Sequence, residues 1–308
     1  MQLNDQSLLT GASEKLAGKR SIPTKSGKTS ASTLGTIRTL DVTSGLDFQL
    51  GETALFRCEV ARQRFDYLWK PKPNATRLFV LFSGDAKRDL YEPPVFQRWS
   101  WADYFPGHCL YVSDPMLHMS PDIGLAWYSG TESVDPLEVI TQHVLEILPQ
   151  LGLVAADVTA YGSSGGGFAA IRLTTKHPDI SAIAINPQTN IAKFAYKTPD
   201  LYARTCLNRS DRHRALADFP ERMDLLSHVS TLKQRKLILI QNRLDLHHYD
   251  DHYTPFCRAM GCTGEENLTD GNLRRILFDH EGGHGKAETP EAFATALSIL
   301  QSNLKQWG

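Results

Sequence analysis

The sequence predicts an α/β fold, with a mostly parallel central sheet covered by helices on both faces. Three observations predict it. Short, continuous apolar runs recur along the chain, as expected of strands buried on both faces. Helical patterns fall between them, the alternation that generates a parallel sheet. A glycine-rich turn, Tyr161-Gly-Ser-Ser-Gly-Gly-Gly-Phe168, links a mid-chain strand to a small-residue helix.

Residues 1–45 are rich in Ser, Thr, Lys and Gly and poor in large apolar side chains, so they are expected to form a flexible or loosely docked extension. Residues 46–308 then form the folded domain. LDFQLGETALFRCEVARQRFDYLWK has the pattern of two or three antiparallel strands at one sheet edge. Arg77–Phe82 and His108–Ser113 are the first candidate parallel strands. Asp135 is placed to cap a helix, with Pro136 at its first position, Glu138 at the capping-box position, and Leu137, Ile140, Val144, Ile147 and Leu148 on one face. Asp157–Tyr161 is a strand, and Gly165–His177 is a helix that stops before Pro178. Ile180–Ile185, Lys236–Gln241 and Leu273–Phe278 complete the sheet. Thr289 caps a closing helix, whose buried face carries Phe293, Ala296, Leu297, Leu300, Leu304 and Trp307.

The composition narrows the function. Of 308 residues, 33 are Lys or Arg and 34 are Asp or Glu, so no basic field draws the chain to nucleic acid or an anionic membrane. No apolar run approaches the ~20 residues of a membrane span, and no secretory signal is visible at the N-terminus. The cysteines, Cys58, Cys109, Cys206, Cys257 and Cys262, are odd in number and contain no CxxC pair, which points to reduced thiols in a cytoplasmic protein. The sequence leaves the oligomeric state open.

Within the glycine-rich turn, Gly162-x-Ser164-x-Gly166 centres on Ser164, whereas Ser163 has Tyr161 in place of the first glycine. A serine on a sharp strand-to-helix turn projects its hydroxyl above the sheet, and side-chain-free neighbours let strand and helix approach. The helix N-terminus adds free amides and partial positive charge. Two other glycine-loop patterns fit less well. Gly165-x-Gly167-x-x-Ala170 matches a dinucleotide fingerprint, but it sits late in the chain and no acidic residue ends the next strand. A phosphate loop fails because no Gly-Lys-Ser/Thr follows. No cofactor is implied.

A serine nucleophile needs a histidine base and an orienting carboxylate, which in a strand-elbow-helix setting follow in the order nucleophile, acid, histidine. Asp245 is the first carboxylate beyond the Lys236–Gln241 strand. His284 lies in a glycine-flanked loop beyond the last strand. His280 competes as base, and Asp250, Asp251 and Asp279 compete as acid. The oxyanion donors are expected to be the Gly165 amide and the amide of Asp85 or Ala86, in the loop after the Leu78–Phe82 strand. His248 and His252, at i, i+4 spacing beside His247, raise a metal alternative, but the sequence places no third ligand, and no metal site is assigned.

Together, Asp114-Pro115, Ala126-Trp127-Tyr128 with Gly130, GSSGGGFAA, the Gln241-Asn242…Asp245…His248…His252 run and GGHG resemble the α/β-hydrolase superfamily over about residues 75–308. Within it they resemble bacterial hydrolase-like proteins found with surface-glycan and accessory-secretion systems. The resemblance implies a triad of Ser164, Asp245 and His284 and an acyl-ester substrate, on a glycan or a small molecule. The HGGG signature of some esterases is absent. The long connection 191–230 sits where this superfamily commonly inserts a helical lid. Its Arg204, Arg209, Arg212 and Arg214 are candidates for anion binding or a solvated face. Trp127, Tyr128 and His248 are candidates to line the substrate pocket.

Overall fold

The computed structural model describes residues 28–29, 39–41, 51–262, 267 and 271–302. The first two pieces of the extension are short strands, β1 (Lys28–Thr29) and β2 (Thr39–Asp41). The edge region then forms a hairpin of β3 (Ala54–Val60) and β4 (Gln63–Lys70). Its turn places Ala61 and Arg62 at positive φ, the geometry that matches the twist of a two-residue hairpin. The remaining strands are β5 (Leu78–Phe82), β6 (Phe96–Gln97), β7 (His108–Val112), β8 (Val158–Ser163), β9 (Ser181–Ile185), β10 (Leu237–Asn242) and β11 (Leu273–Phe278).

Nine of these strands form one sheet in the order β11-β10-β9-β8-β5-β7-β4-β3-β2. From β7 to β11 every pairing is parallel, while β4 is antiparallel to both β3 and β7. β1 pairs outside this sheet with β6. The chain leaves β5 for β7 on one side and returns to β8 on the other, so the carboxyl ends of β5 and β8 border a topological switch point, where open α/β sheets bind ligands.

Both faces of the sheet are buried. Leu78, Val80 and Phe82 of β5 join one apolar cluster, and Phe79 and Leu81 join the other, the period-two alternation of a strand in a doubly covered sheet. On the first face lie α1 (Pro136–Leu151) and α2 (Gly165–Leu173), and on the second α6 (Pro290–Ser302). Asp135 caps α1 through the Leu137 amide (3.1 Å) and also accepts from buried Arg172 of α2 (3.1 Å), tying the two helices together. Glu138 accepts from Lys176 (3.1 Å) rather than completing a capping box. Thr289 caps α6 through the Ala292 amide (3.1 Å), and Phe293 packs edge-on against Trp101 and Phe105. Leu304 and Trp307 lie outside the described residues. The connection between β9 and β10 is helical, with α3 (Thr198–Cys206), α4 (Arg212–Asp218) and shorter turns; α5 (Thr254–Met260) precedes β11. Among the described residues no helix is long and apolar enough to cross a membrane.

Candidate active site

Ser164 stands between β8 and α2 with φ 55° and ψ −123°, a backbone conformation that costs about 1–3 kcal/mol for a residue with a side chain. The surrounding glycines explain how the turn fits. A Cβ at Gly162 would run into the Gly166 carbonyl, and one at Gly166 would lie 2.6 Å from the Phe82 carbonyl oxygen. The Ser164 carbonyl accepts from the Phe168 amide (3.1 Å) and the Gln188 amide (3.2 Å), while its N–H donates to Ile185 (3.0 Å), so the strained residue is held from three sides. Gly165 is the first residue of α2, and such an amide has no acceptor within its own helix.

The loop Ser83–Ala86 follows β5 and runs against the turn: a Cβ at Gly84 would lie 3.3 Å from the Ser163 carbonyl and 3.7 Å from Ser164 Cβ. The Ser83 amide donates to the Tyr128 hydroxyl (2.9 Å) and the Gly84 amide to Gln97 Oε1 (3.0 Å), while Gln97 Nε2 donates back to the Asp85 carbonyl (2.9 Å). The Ala86 amide donates to the Gly124 carbonyl (2.7 Å). Of the two loop amides named from the sequence, Ala86's is therefore committed to the backbone segment packed across the loop.

Asp245 follows β10 and is buried. Its Oδ2 accepts from His284 Nδ1 (2.7 Å) and Asn186 Nδ2 (2.5 Å), and its Oδ1 from His248 Nδ1 (3.1 Å). Burial alone would raise this carboxyl's pKa, but the hydrogen bonds and charges of His248 and His284 hold it far below the usual carboxylate range. The two imidazoles stack at 4.1 Å between centroids. His248 is buried, which pushes its pKa down against the opposing pull of Asp245, whereas His284 has 44% of its side chain exposed. The loop carrying His284 is shaped by Asn242 at the end of β10, which donates to the His280 and Gly283 carbonyls (2.8 and 3.0 Å) and accepts from the His280 amide (2.9 Å). His280 turns back on that loop, where its Nδ1 accepts from the Gly282 amide (3.0 Å). Asp279 pairs with Arg243 (2.6 Å), and Asp251 with His247 (2.8 Å).

The residue in contact with the Ser164 hydroxyl is one the sequence argument did not single out. Gln188 Nε2 donates to Ser164 Oγ (3.2 Å) and lies 3.4 Å from His248 Nε2. The amide's orientation follows from chemistry. An indole N–H only donates, and the Trp127 indole meets Gln188 Oε1, so the Gln188 amino group faces Ser164 and His248. His248 Nε2 must then accept, which leaves its proton on Nδ1, facing Asp245. The available signal was modest: a glutamine just beyond the carboxyl end of β9, beside the elbow strand.

Trp127 and Tyr128 have no exposed surface, so they sit behind the site rather than along an open wall. Both have φ of 54°, and buried Asp114 accepts from the Tyr128 amide (2.9 Å), folding the pair into the core. The Trp127 indole bonds Gln188, and the Tyr128 hydroxyl accepts from the Ser83 amide. Arg209 pairs with Asp218 and Glu132, Arg212 with Asp200 (2.7 Å) and Arg214 with Asp218 (3.0 Å), so these cations brace the helical connection. His252 does not pair with His248 as a ligand set: its Nδ1 accepts from the Thr189 amide (3.2 Å). Asp245, His248 and His284 offer one ligand atom each within 4.8 Å of one another, a spacing a metal ion would accept, but both rings aim Nδ1 at the carboxylate.

No family model and no curated protein matches the sequence. Solved structures do match. The capsule O-acetyltransferase of Neisseria meningitidis serogroup A is 16% identical over 80% of this chain and 96% of its own, with a TM-score of 0.51. An S-formylglutathione hydrolase from Agrobacterium tumefaciens is 15% identical over 87% of this chain and 100% of its own, with a TM-score of 0.54. An acylaminoacyl peptidase of Pyrococcus horikoshii is 14% identical over 84% of this chain and 42% of its own, with a TM-score of 0.55. With the strand order, the switch point and the strained serine turn, these likenesses establish that the chain has the α/β-hydrolase fold.

Proposed function

We propose that this protein is a serine hydrolase that cleaves a carboxylic ester through an acyl-enzyme on Ser164, its acyl group borne by a glycan or a small molecule. The observations that carry this are Ser164 on its strained turn at the switch point and His284 bonded at 2.7 Å to buried Asp245 beyond β10, joined to Ser164 through His248 and Gln188. Because Asp245 accepts from Nδ1, the neutral His284 ring bears its proton there and keeps a lone pair on Nε2. On substrate binding the Ser164 hydroxyl turns from Gln188 to that lone pair, a bond that commonly tightens only in the substrate complex. Ser164 Oγ attacks the ester carbon as its proton passes to Nε2, and the imidazolium is stabilised by Asp245. The Gly165 amide receives the oxyanion, joined by a second donor from the Ser83–Ala86 loop. His284 then protonates the leaving alkoxide, and water deacylates the serine by the same route in reverse.

The helical connection 191–230 acts as a lid in this proposal, because Phe194 at its start lies against Trp127 (5.9 Å between rings) and His248 (6.5 Å). Its next aromatic, Tyr196, and Leu246 beside Asp245 are both largely exposed and suit an apolar acyl or alcohol portion. The five free thiols suit the cytoplasm.

Acyl transfer to an alcohol on the same triad is the second reading, favoured by the likeness to a capsule O-acetyltransferase; a peptidase reading takes the same support from the acylaminoacyl peptidase. A non-catalytic partner in a glycan or secretion system is the alternative from another class, favoured by the hydroxyl's resting bond to Gln188. Fluorophosphonate labelling with tryptic mapping separates these. Labelling at Ser164, lost in Ser164→Ala, supports the enzyme; an unlabelled wild type defeats it. Product analysis with p-nitrophenyl acetate, a peptide amide and a glycan alcohol acceptor then decides between ester hydrolysis, peptide hydrolysis and transfer.

A further inference from the structure

Beneath the proposed site lies a largely buried ion pair that the reaction itself does not use. Arg98, 1% exposed, follows β6 in a left-handed conformation (φ 61°). Its guanidinium donates to both carboxylate oxygens of Glu288 (2.6 and 2.7 Å), to the Phe82 carbonyl at the end of β5 (3.3 Å) and to the hydroxyl of Ser163, the residue before the nucleophile. Tyr161 of β8 also donates to Glu288 (3.0 Å), and Tyr111 of β7 donates to the Arg98 carbonyl (3.0 Å). Glu288 stands four residues beyond His284, just before α6. The preceding residue, Gln97, is the one that holds the Gly84 amide and the Asp85 carbonyl.

We infer that the Gln97-Arg98 dipeptide and Glu288 form a positioning clamp that fixes the serine turn, the oxyanion loop and the histidine loop relative to one another. The inference rests on the hydrolase reading of Ser164 and His284. Arg suits the task because its planar fork reaches a carboxylate bidentately while a remaining N–H meets a second partner. Lysine has no such fork. A misplacement of reacting groups by about 1 Å can cost ~10²-fold in rate, so loosening one of three tethers is expected to lower kcat about tenfold with little change in KM.

The test uses Glu288→Gln, Ser163→Ala and the apolar pair Arg98→Met/Glu288→Leu in the full chain. Readouts are Tm, kcat and KM on p-nitrophenyl acetate, the fluorophosphonate labelling rate, and hydrogen exchange of segments 163–168 and 282–288. The clamp predicts that Glu288→Gln loses about tenfold in kcat and labelling rate at nearly constant KM, with faster exchange in both segments. It also predicts that the apolar pair regains Tm, as buried ion pairs replaced by apolar groups often do, but not kcat. Wild-type kcat in Glu288→Gln, or recovery of kcat together with Tm in the apolar pair, overturns it. If that pair does not fold, Glu288→Gln and Ser163→Ala decide alone by the same criterion. A wild type that fluorophosphonate does not label at Ser164 defeats the hydrolase reading instead, and the two failures are thereby told apart.

Discussion

Asp245→Asn probes the site at the group on which both histidines converge. Asp245 meets three donors: His248 Nδ1 on one oxygen, His284 Nδ1 and Asn186 Nδ2 on the other. An asparagine has one oxygen to offer. Asn186 cannot reverse its amide, because its own Oδ1 already accepts from the Asn242 amide (2.9 Å). The new oxygen is therefore expected to face Asn186 and His284, and the new amino group to face His248. His284 keeps its tautomer but loses the negative charge that stabilises its protonated form. At an effective dielectric of ~20 and the 2.7 Å separation, that attraction is about 6 kcal/mol. His284 is 44% exposed, so solvent screening reduces it to about 3 kcal/mol, or roughly 10²-fold in kcat/KM. The assay is p-nitrophenyl acetate hydrolysis from pH 6 to 9, with Tm as a folding control. An Asp245→Asn enzyme within threefold of wild type refutes the reasoning. So does His248→Ala losing as much activity as His284→Ala, which would place the base on the buried ring.

Three further outcomes follow from the geometry. Gly166→Ala forces a Cβ to 2.6 Å from the Phe82 carbonyl and should lower stability by about 1–3 kcal/mol, read as a fall in Tm by differential scanning calorimetry. Gln188→Met leaves the Trp127 indole without its acceptor and should reduce the free energy of urea unfolding by about 1–3 kcal/mol; an unchanged midpoint would show that the indole finds water. Burial raises Asp114 to about 6, opposed by bonds from the Tyr128, Met116 and Ala126 amides. Its folded pKa lies above its unfolded one, so the folded state binds more protons between them and stability falls as pH rises from about 4 to about 6. That window is worth up to about 3 kcal/mol, and Asp114→Asn should flatten it in urea titrations at successive pH values.

The local chemistry of the chain was legible in its sequence. Parallel strands buried on both faces favour continuous apolar runs, and β5, β9 and β10 stand within a residue or two of where those runs lie. The elbow was equally readable, because the close approach of β8 to α2 excludes a side chain at Gly162 and that of α2 to the end of β5 excludes one at Gly166, and both requirements are written within one short stretch of sequence. Chain order together with placement just beyond two strand ends put Asp245 and His284 forward, and folding brings them to 2.7 Å. Tertiary structure decided what depends on residues distant in sequence. That Asp245 is shared with His248, that the Ala86 amide is committed to Gly124, and that Trp127 and Tyr128 lie behind the site follow from packing without a periodic signature. Gln188 and Arg98 show the reason most directly. A glutamine or an arginine carries the same donors wherever it occurs, and only burial against Ser164, or against a carboxylate 190 residues away, gives those donors a direction.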